Sequence, residues 1–353
     1  MINSFIEHMI KMNCRTDLPV LLLLDVNPPS QLDDIQEQLV MADALQNSMR
    51  KVGRPVNFVY MEKEKRPAPL FYNTEEVIIF NLCDGVPGIS RSWSLAAEEL
   101  EEYGFAFTGA DSEALLLSQD KAQIKRQLHK QGINIPKWEE YSTLENITWK
   151  NFPSIVKPAF EHCSYGITRE SVVQTLAELI HRMRYVLEEF QQPVLVEEFI
   201  DGREFHVGLI GNGHPFVLPP AEIDYSAFSD IHDRLCTYES KFDKTSLAYR
   251  LTAPGLPVEM TVNQSKRLNE MVTTAYQTTG CRDYARMDIR LRDGVFYILD
   301  VNHNADISPE TSMILAAEKA GLSYGRFGSL LVNLAAHRHK VFENSRGRGV
   351  FNG

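Results

Sequence analysis

Residues 284–302 read YARMDIRLRDGVFYILDVN, two strand-like runs around Asp293-Gly294. Side chains alternate along a strand, so Arg286, Asp288 and Arg290 share one face while Met287, Ile289 and Leu291 turn to a core. On the second run Asp300 and Asn302 share a face. Two carboxylates and an amide converging on a sheet surface offer the hard oxygen ligands that Mg²⁺ takes. Convergence requires the hairpin to put both sets on the same side. A two-residue turn at Asp293-Gly294 pairs 288 with 299 and separates them. A three-residue turn, Arg292 to Gly294 with Gly294 left-handed, pairs 286 with 300 and unites them. The expectation is the three-residue turn, or a bulge with the same effect. Taken alone, these charges more readily suit a solvated sheet face.

Upstream, three further clusters bear on chemistry. Lys157 ends the strand-like Ser154 to Pro158 and precedes a polar loop, Ala159 to Thr168, with Ser164 and Gly166 in it. A lysine beside such a loop suits phosphate oxygens, with loop amides as added donors. Lys121 follows Gln119-Asp120 in or beside a helix, where a solvated lysine is the plain alternative. Residues 196–204 read VEEFIDGRE. Adjacent carboxylates at the end of an apolar strand need donors if buried. Glu197 and Glu204 could hold an adenine amino group and ribose hydroxyls, or simply mark a charged strand end.

The first 110 or so residues alternate strands and helices, which implies a parallel α/β layer. PVLLLLDV at 19–26 is continuous enough for a strand buried on both faces. Residues 112–131 read as one helix ending at Gly132, and 225–249 as a long polar, aromatic-rich functional loop. The formal charge of −11 argues against a sequence-independent nucleic-acid binder. It leaves room for a nucleotide if a few lysines converge. Five cysteines without a C-x-x-C pair favour reduced thiols in a cytosolic compartment. No signal peptide and no membrane span are evident, so a soluble cytoplasmic protein is expected.

Taken in order, YGFAFTG (103–109), SQDK (118–121), IVKP (155–158), VEEFIDGREFHVGLIG (196–211), VLPPAEI (217–223), YESKF (238–242), ARMDI (285–289), YILDVN (297–302) and AGLSY (320–324) resemble the D-alanine–D-alanine ligase branch of the ATP-grasp superfamily. The resemblance spans about 75–340 and implies a combined α/β and α+β architecture. An N-terminal parallel α/β domain would precede two α+β lobes enclosing ATP. The expected division is an extension over 1–17, the α/β domain over 18–111, a central lobe over 112–193, a C-terminal lobe with the metal site over 194–343, and a flexible tail over 344–353.

The same resemblance implies roles. Lys121 and Lys157 would contact phosphates, Glu197 and the backbone of Glu198, Phe199 and Ile200 would recognise adenine, and Glu204 would bind ribose. Asp288, Asp300 and Asn302 would hold two Mg²⁺ ions, with Mn²⁺ as the alternative. Lys241 would reach the γ-phosphate from a loop that closes over the site, and Arg286 would stabilise the oxyanion. The partners implied are a small carboxylate and an amine, with no nucleic acid or membrane; a homodimer is compatible.

Several positions depart from the family pattern. Asp300 stands for the usual metal glutamate, Phe242 for a substrate-holding tyrosine, and Cys163, beside Ser164, for the serine of the same relay. Asp25-Val-Asn-Pro-Pro replaces the stretch with an ammonium-binding glutamate, and the glycine-bearing turn and serine for a substrate carboxylate become residues 303–311, with Asp306, Glu310 and Thr311. Asp306 and Glu310 would repel a carboxylate and favour a cationic or neutral acceptor. The reading is therefore an ATP-dependent carboxylate–amine ligase with an altered substrate site, working through an acyl-phosphate. Its alternatives are a true D-alanine–D-alanine ligase and a nucleotide-binding regulator without turnover.

Overall fold

The computed structural model describes residues 19–25, 32–61, 72–83, 85, 92–162, 164–237, 240 and 245–343. The expected N-terminal extension and flexible tail, and with them Cys163, Lys241 and Phe242, lie outside these residues.

The apolar run near the N-terminus forms β1 (Val20–Asp25), followed by β2 (Val56–Met61), β3 (Ile78–Asn81) and β4 (Ala106–Phe107). All pair in parallel, in the order β2-β1-β3-β4. Alternation along β1 explains its unbroken hydrophobicity. Val20 and Leu22 join one buried cluster, Leu21 and Leu23 another on the opposite face. The second cluster includes Ala96, Ala97 and Leu100 of helix Leu95–Glu102. The first contains Met313, Phe327 and Leu331, from helices Ser312–Lys319 and Tyr324–Arg338. The chain's last long helices therefore return to cover its first sheet.

The central sheet has the order β5-β8-β6-β7, from β5 (Trp138–Tyr141), β6 (Ser154–Pro158), β7 (Val172–Val173) and β8 (Val194–Glu198). Its core of Val156, Leu179, Met183, Val186, Val194 and Val196 is covered by helix Leu176–Phe190. The boundary expected at 194 assigned β8 to the C-terminal lobe, yet β8 pairs with β5 and β6. The crossing between lobes thus falls after Glu198.

The single helix expected over 112–131 is two, Ser112–Ser118 and Lys121–Lys130. The break comes at Asp120, whose extended backbone and carboxylate, accepting the Gln123 amide at 2.8 Å, cap the second helix. Ala114 and Leu115 of the first pack on the parallel sheet, whereas Ile124 and Leu128 of the second join the C-terminal core. That core lies under an antiparallel sheet of β9 (Arg203–Ile210), β10 (Phe216–Val217), β11 (Ala221–Ile223), β12 (Tyr284–Arg292) and β13 (Val295–Asn302). The order is β10-β9-β12-β13, with β11 also on β9.

Among the described residues no helix is long and apolar enough to cross a membrane.

Candidate active site

The β12–β13 hairpin closes through the two-residue turn, since Arg292 pairs with Val295 and both Asp293 (φ 51°) and Gly294 (φ 76°) are left-handed. The three-residue turn is therefore not used. Its alternative, a bulge, restores the convergence. The register shifts beyond Ile289↔Ile298 to Asp288↔Asp300 and Arg286↔Asn302, leaving Leu299 as the extra residue. Lys125 Nζ donates to the Leu299 carbonyl at 3.3 Å, so the bulge has its own partner in the second helix of the broken pair.

On the other side of β12, Glu204 pairs with Arg290, His206 with Asp288 and Gly208 with Arg286. The sheet therefore carries rows of facing polar side chains: Glu204–Arg290, His206–Asp288–Asp300, and Arg286–Asn302. Arg286 Nε lies 2.7 Å from Asp288 Oδ1, and Asn302 Nδ2 lies 3.1 Å from Asp288 Oδ2. His206 Nε2 stands 3.6 Å from Glu204 and 3.8 Å from Asp288, and its Nδ1 is 3.0 Å from Ser312 Oγ. The remaining donors here are oxygens of two carboxylates and one amide, a hard set that suits Mg²⁺ rather than a softer metal. Among the described residues no group of three or more His, Cys, Asp or Glu side chains could hold a metal ion, so any ion here would rely on these mixed donors together with phosphate and water.

The central lobe faces this surface with lysines. Lys157 Nζ lies 2.9 Å from Glu197 Oε1 and 3.4 Å from Asp300 Oδ2, while Lys125 Nζ lies 3.0 Å from Glu197 Oε2. Burial of Lys157 alone would favour its neutral form, but Asp300 and Glu197 outweigh it and hold the ammonium charged. Asp300 likewise stays below the usual carboxylate range: burial opposes this, and Lys157, Lys121 and Lys125 overcome it. Lys121 Nζ donates to the Glu161 carbonyl of the polar loop. Desolvation lowers its pKa to about 8, partly offset by Asp300.

Glu197 was expected to meet adenine. Its side chain is only 2% exposed and has one oxygen against each of two lysines. The structure makes it the joint of a lysine network. Glu198 pairs with Arg292 at 2.7 Å, and Phe199 and Ile200 are buried. Glu204 is held ionised: burial opposes this, but Arg290 at 2.7 Å and His206 prevail. Lys121, Lys157, Glu197–Ile200, Glu204, Asp288, Asp300 and Asn302 all line one cleft, and Ser164 lies on its loop side. Asp306 and Glu310 sit apart on exposed positions, where Asp306 accepts from Ser308 N at 2.8 Å; Thr311 precedes the following helix and donates to the Ser308 carbonyl at 2.8 Å.

Lys125 and His206 escaped the sequence reading, and Arg290 was placed on its face without a role. Each had a periodic signal: Lys125 is one helical turn from Lys121, Arg290 shares the Asp288 face, and His206 shares the Glu204 face.

A sequence model described as the D-ala D-ala ligase C-terminus matches residues 128–333. The chain belongs to the D-alanine–D-alanine ligase family. It is 29% identical over 293 residues to the D-alanine–D-alanine ligase of Aquifex aeolicus, covering 82% of this chain and 92% of that one. It is 30% identical over 281 residues to an uncharacterized Sinorhizobium fredii protein, y4sG, covering 79% and 80%. The crystal structure of Bacillus anthracis D-alanine–D-alanine ligase complexed with ATP superposes with a TM-score of 0.72 at 18% identity, over 92% of this chain and 99% of that one. That likeness gives the ATP-grasp fold. Family membership makes the chain an ADP-forming C–N ligase of the carboxylate–amine type.

Proposed function

We propose that this ligase binds ATP in the cleft between the central and C-terminal lobes, activates a carboxylate as its acyl-phosphate, and joins it to an amine other than D-alanine. The observation that carries the nucleotide reading is the convergence of Lys157, Lys121 and the Asp288–Asp300 pair on one cleft surface. Lys121 and Lys157 take the phosphate oxygens, the strand end at Glu198–Ile200 borders the adenine, and Glu204 accepts from the ribose. Asp288, Asp300 and Asn302 are the residues that would hold Mg²⁺, whose contribution is to neutralise phosphate charge.

The carboxylate oxygen attacks the γ-phosphorus, ADP leaves, and the acyl carbon gains phosphate as its leaving group. The amine nitrogen then attacks that carbon, loses a proton, and phosphate departs. Arg286, held by Asp288, would stabilise the oxyanion of the tetrahedral stage. Lys241 would reach the γ-phosphate, Phe242 would meet the first substrate, and Cys163 would stand in the loop relay beside Ser164.

The altered acceptor rests on residues 303–311, where exposed Asp306 and Glu310 disfavour a carboxylate-bearing amine. A mixture of amines and amino acids, the latter with ¹⁸O in their carboxylates, tests the chemistry. Transfer of one ¹⁸O into the released phosphate is expected. ATP binding without any cleavage would favour the regulator reading instead.

A further inference from the structure

Arg290 is buried, 3% exposed, and has partners on three segments. Its Nε lies 2.7 Å from Glu204 Oε2 on β9, and one terminal nitrogen donates to the Ile200 carbonyl at 2.8 Å. The other terminal nitrogen donates to the Arg234 carbonyl. Its guanidinium carbon stands over the Phe199 ring, 4.6 Å from the centroid, and 5.4 Å from that of Tyr225. A planar fork with several donors and two aromatic rings against it is chemistry that lysine cannot reproduce.

The consequence falls on Glu204. Arg290 occupies Oε2, while His206 Nε2 stands 3.6 Å from Oε1, beyond hydrogen-bond length. Glu204 lines the cleft with Phe199, Ile200, Leu235 and Cys236. The partners of Arg290 therefore include Glu204 and Ile200 directly, and the residue just before Leu235 and Cys236.

We infer that Arg290 is a positioning residue for the nucleotide sugar: by holding one oxygen of Glu204 it presents the other to the ribose hydroxyls, and so sets the preference for ATP over deoxynucleotides. The inference rests on the reading of Glu204 as the ribose carboxylate.

The test is calorimetric binding of ATP, 2′-deoxy-ATP and 3′-deoxy-ATP, each with Mg²⁺, to the full chain. Wild type should prefer ATP by roughly tenfold or more over the weaker of the two analogues, because a buried acceptor is left unpaired by the missing hydroxyl. Arg290→Lys should bring that ratio to within about twofold, since charge remains but the fork geometry is lost. Tyr225→Leu leaves every charge paired and removes one aromatic wall, so its ratio should fall part-way; it decides the matter if Arg290→Lys does not fold. An unchanged ratio in the folded variants, with only a lower melting temperature, would overturn the inference and leave Arg290 a structural residue. Glu204→Gln reports separately on the ribose reading. If it retains the full preference, or wild type shows none, that reading fails and takes the inference with it.

Discussion

The proposed nucleotide floor and the proposed acceptor edge of this ligase are built differently. On the floor, charged side chains stand on β9, β12 and β13 in facing rows, and each is held by others: Glu197 by two lysines, Asp288 by Arg286 and Asn302, Glu204 by Arg290. At the edge, Asp306 and Glu310 sit on an exposed connection between β13 and the helix beginning at Ser312. A buried charge network is intolerant of change, because removing one partner strands another in a medium of low dielectric. Exposed loop charges can change sign at little cost to stability. The physics thus permits one family to keep its phosphate chemistry while altering what it joins.

The most severe break in the floor is Asp288→Asn. It removes a carboxylate proposed to neutralise phosphate charge, and phosphate release with the labelled amino-acid mixture should fall on the order of 10³-fold. The variant should still melt cooperatively, and retained turnover would withdraw the metal assignment. Lys157→Met strips a partner from both Glu197 and Asp300. Urea unfolding should show a loss of about 3 kcal/mol, the usual consequence of opening a buried pair. A loss under about 1 kcal/mol would mean that the network is hydrated and behaves like a surface pair.

Proton linkage gives a finer probe. The Lys121 pKa of about 8 lies below that of an ordinary lysine, because burial disfavours its charge. In the unfolded chain it would remain protonated to higher pH. This residue therefore opposes folding below pH 8, and the penalty is relieved as pH rises through the folded value toward the unfolded one. For ATP the sign is opposite. The anion needs the charged form, so affinity should weaken above pH 8, approaching tenfold by about pH 9 if one lysine governs it. Calorimetry at pH 8.5 in two buffers of different ionisation enthalpy should show proton uptake on ATP binding, and Lys121→Met should abolish it. The smallest effect belongs to the edge. Asp306→Asn combined with Glu310→Gln should shift acceptor preference toward carboxylate-bearing amines by about threefold, in the range of exposed charges, while ATP affinity stays unchanged.

The sequence exposed the floor more clearly than its fastening. Alternation alone placed Arg286, Asp288 and Arg290 on one face, because a strand has only two faces. The bulge at Leu299 had no such signature: an extra leucine in a strand looks like its neighbours until the partner strand supplies the register. For the same reason Glu197 could be assigned to adenine, since nothing local announces two lysines arriving from a helix and another strand. The break at Asp120 comes from an extended backbone whose carboxylate caps the second helix, a conformation the run 112–131 does not announce. The covering of the first sheet by the last long helices, 312–319 and 324–338, is a tertiary fact with no local counterpart.

The most direct test of a retained floor and an altered edge is ATP- and Mg²⁺-dependent phosphate release across a matrix of amino acids, dipeptides and amines, with mass spectrometry of the products. The account predicts a coupled amide from a pair other than two D-alanines, with one phosphate released for each bond formed. D-Alanyl-D-alanine as the most efficiently formed product would contradict it.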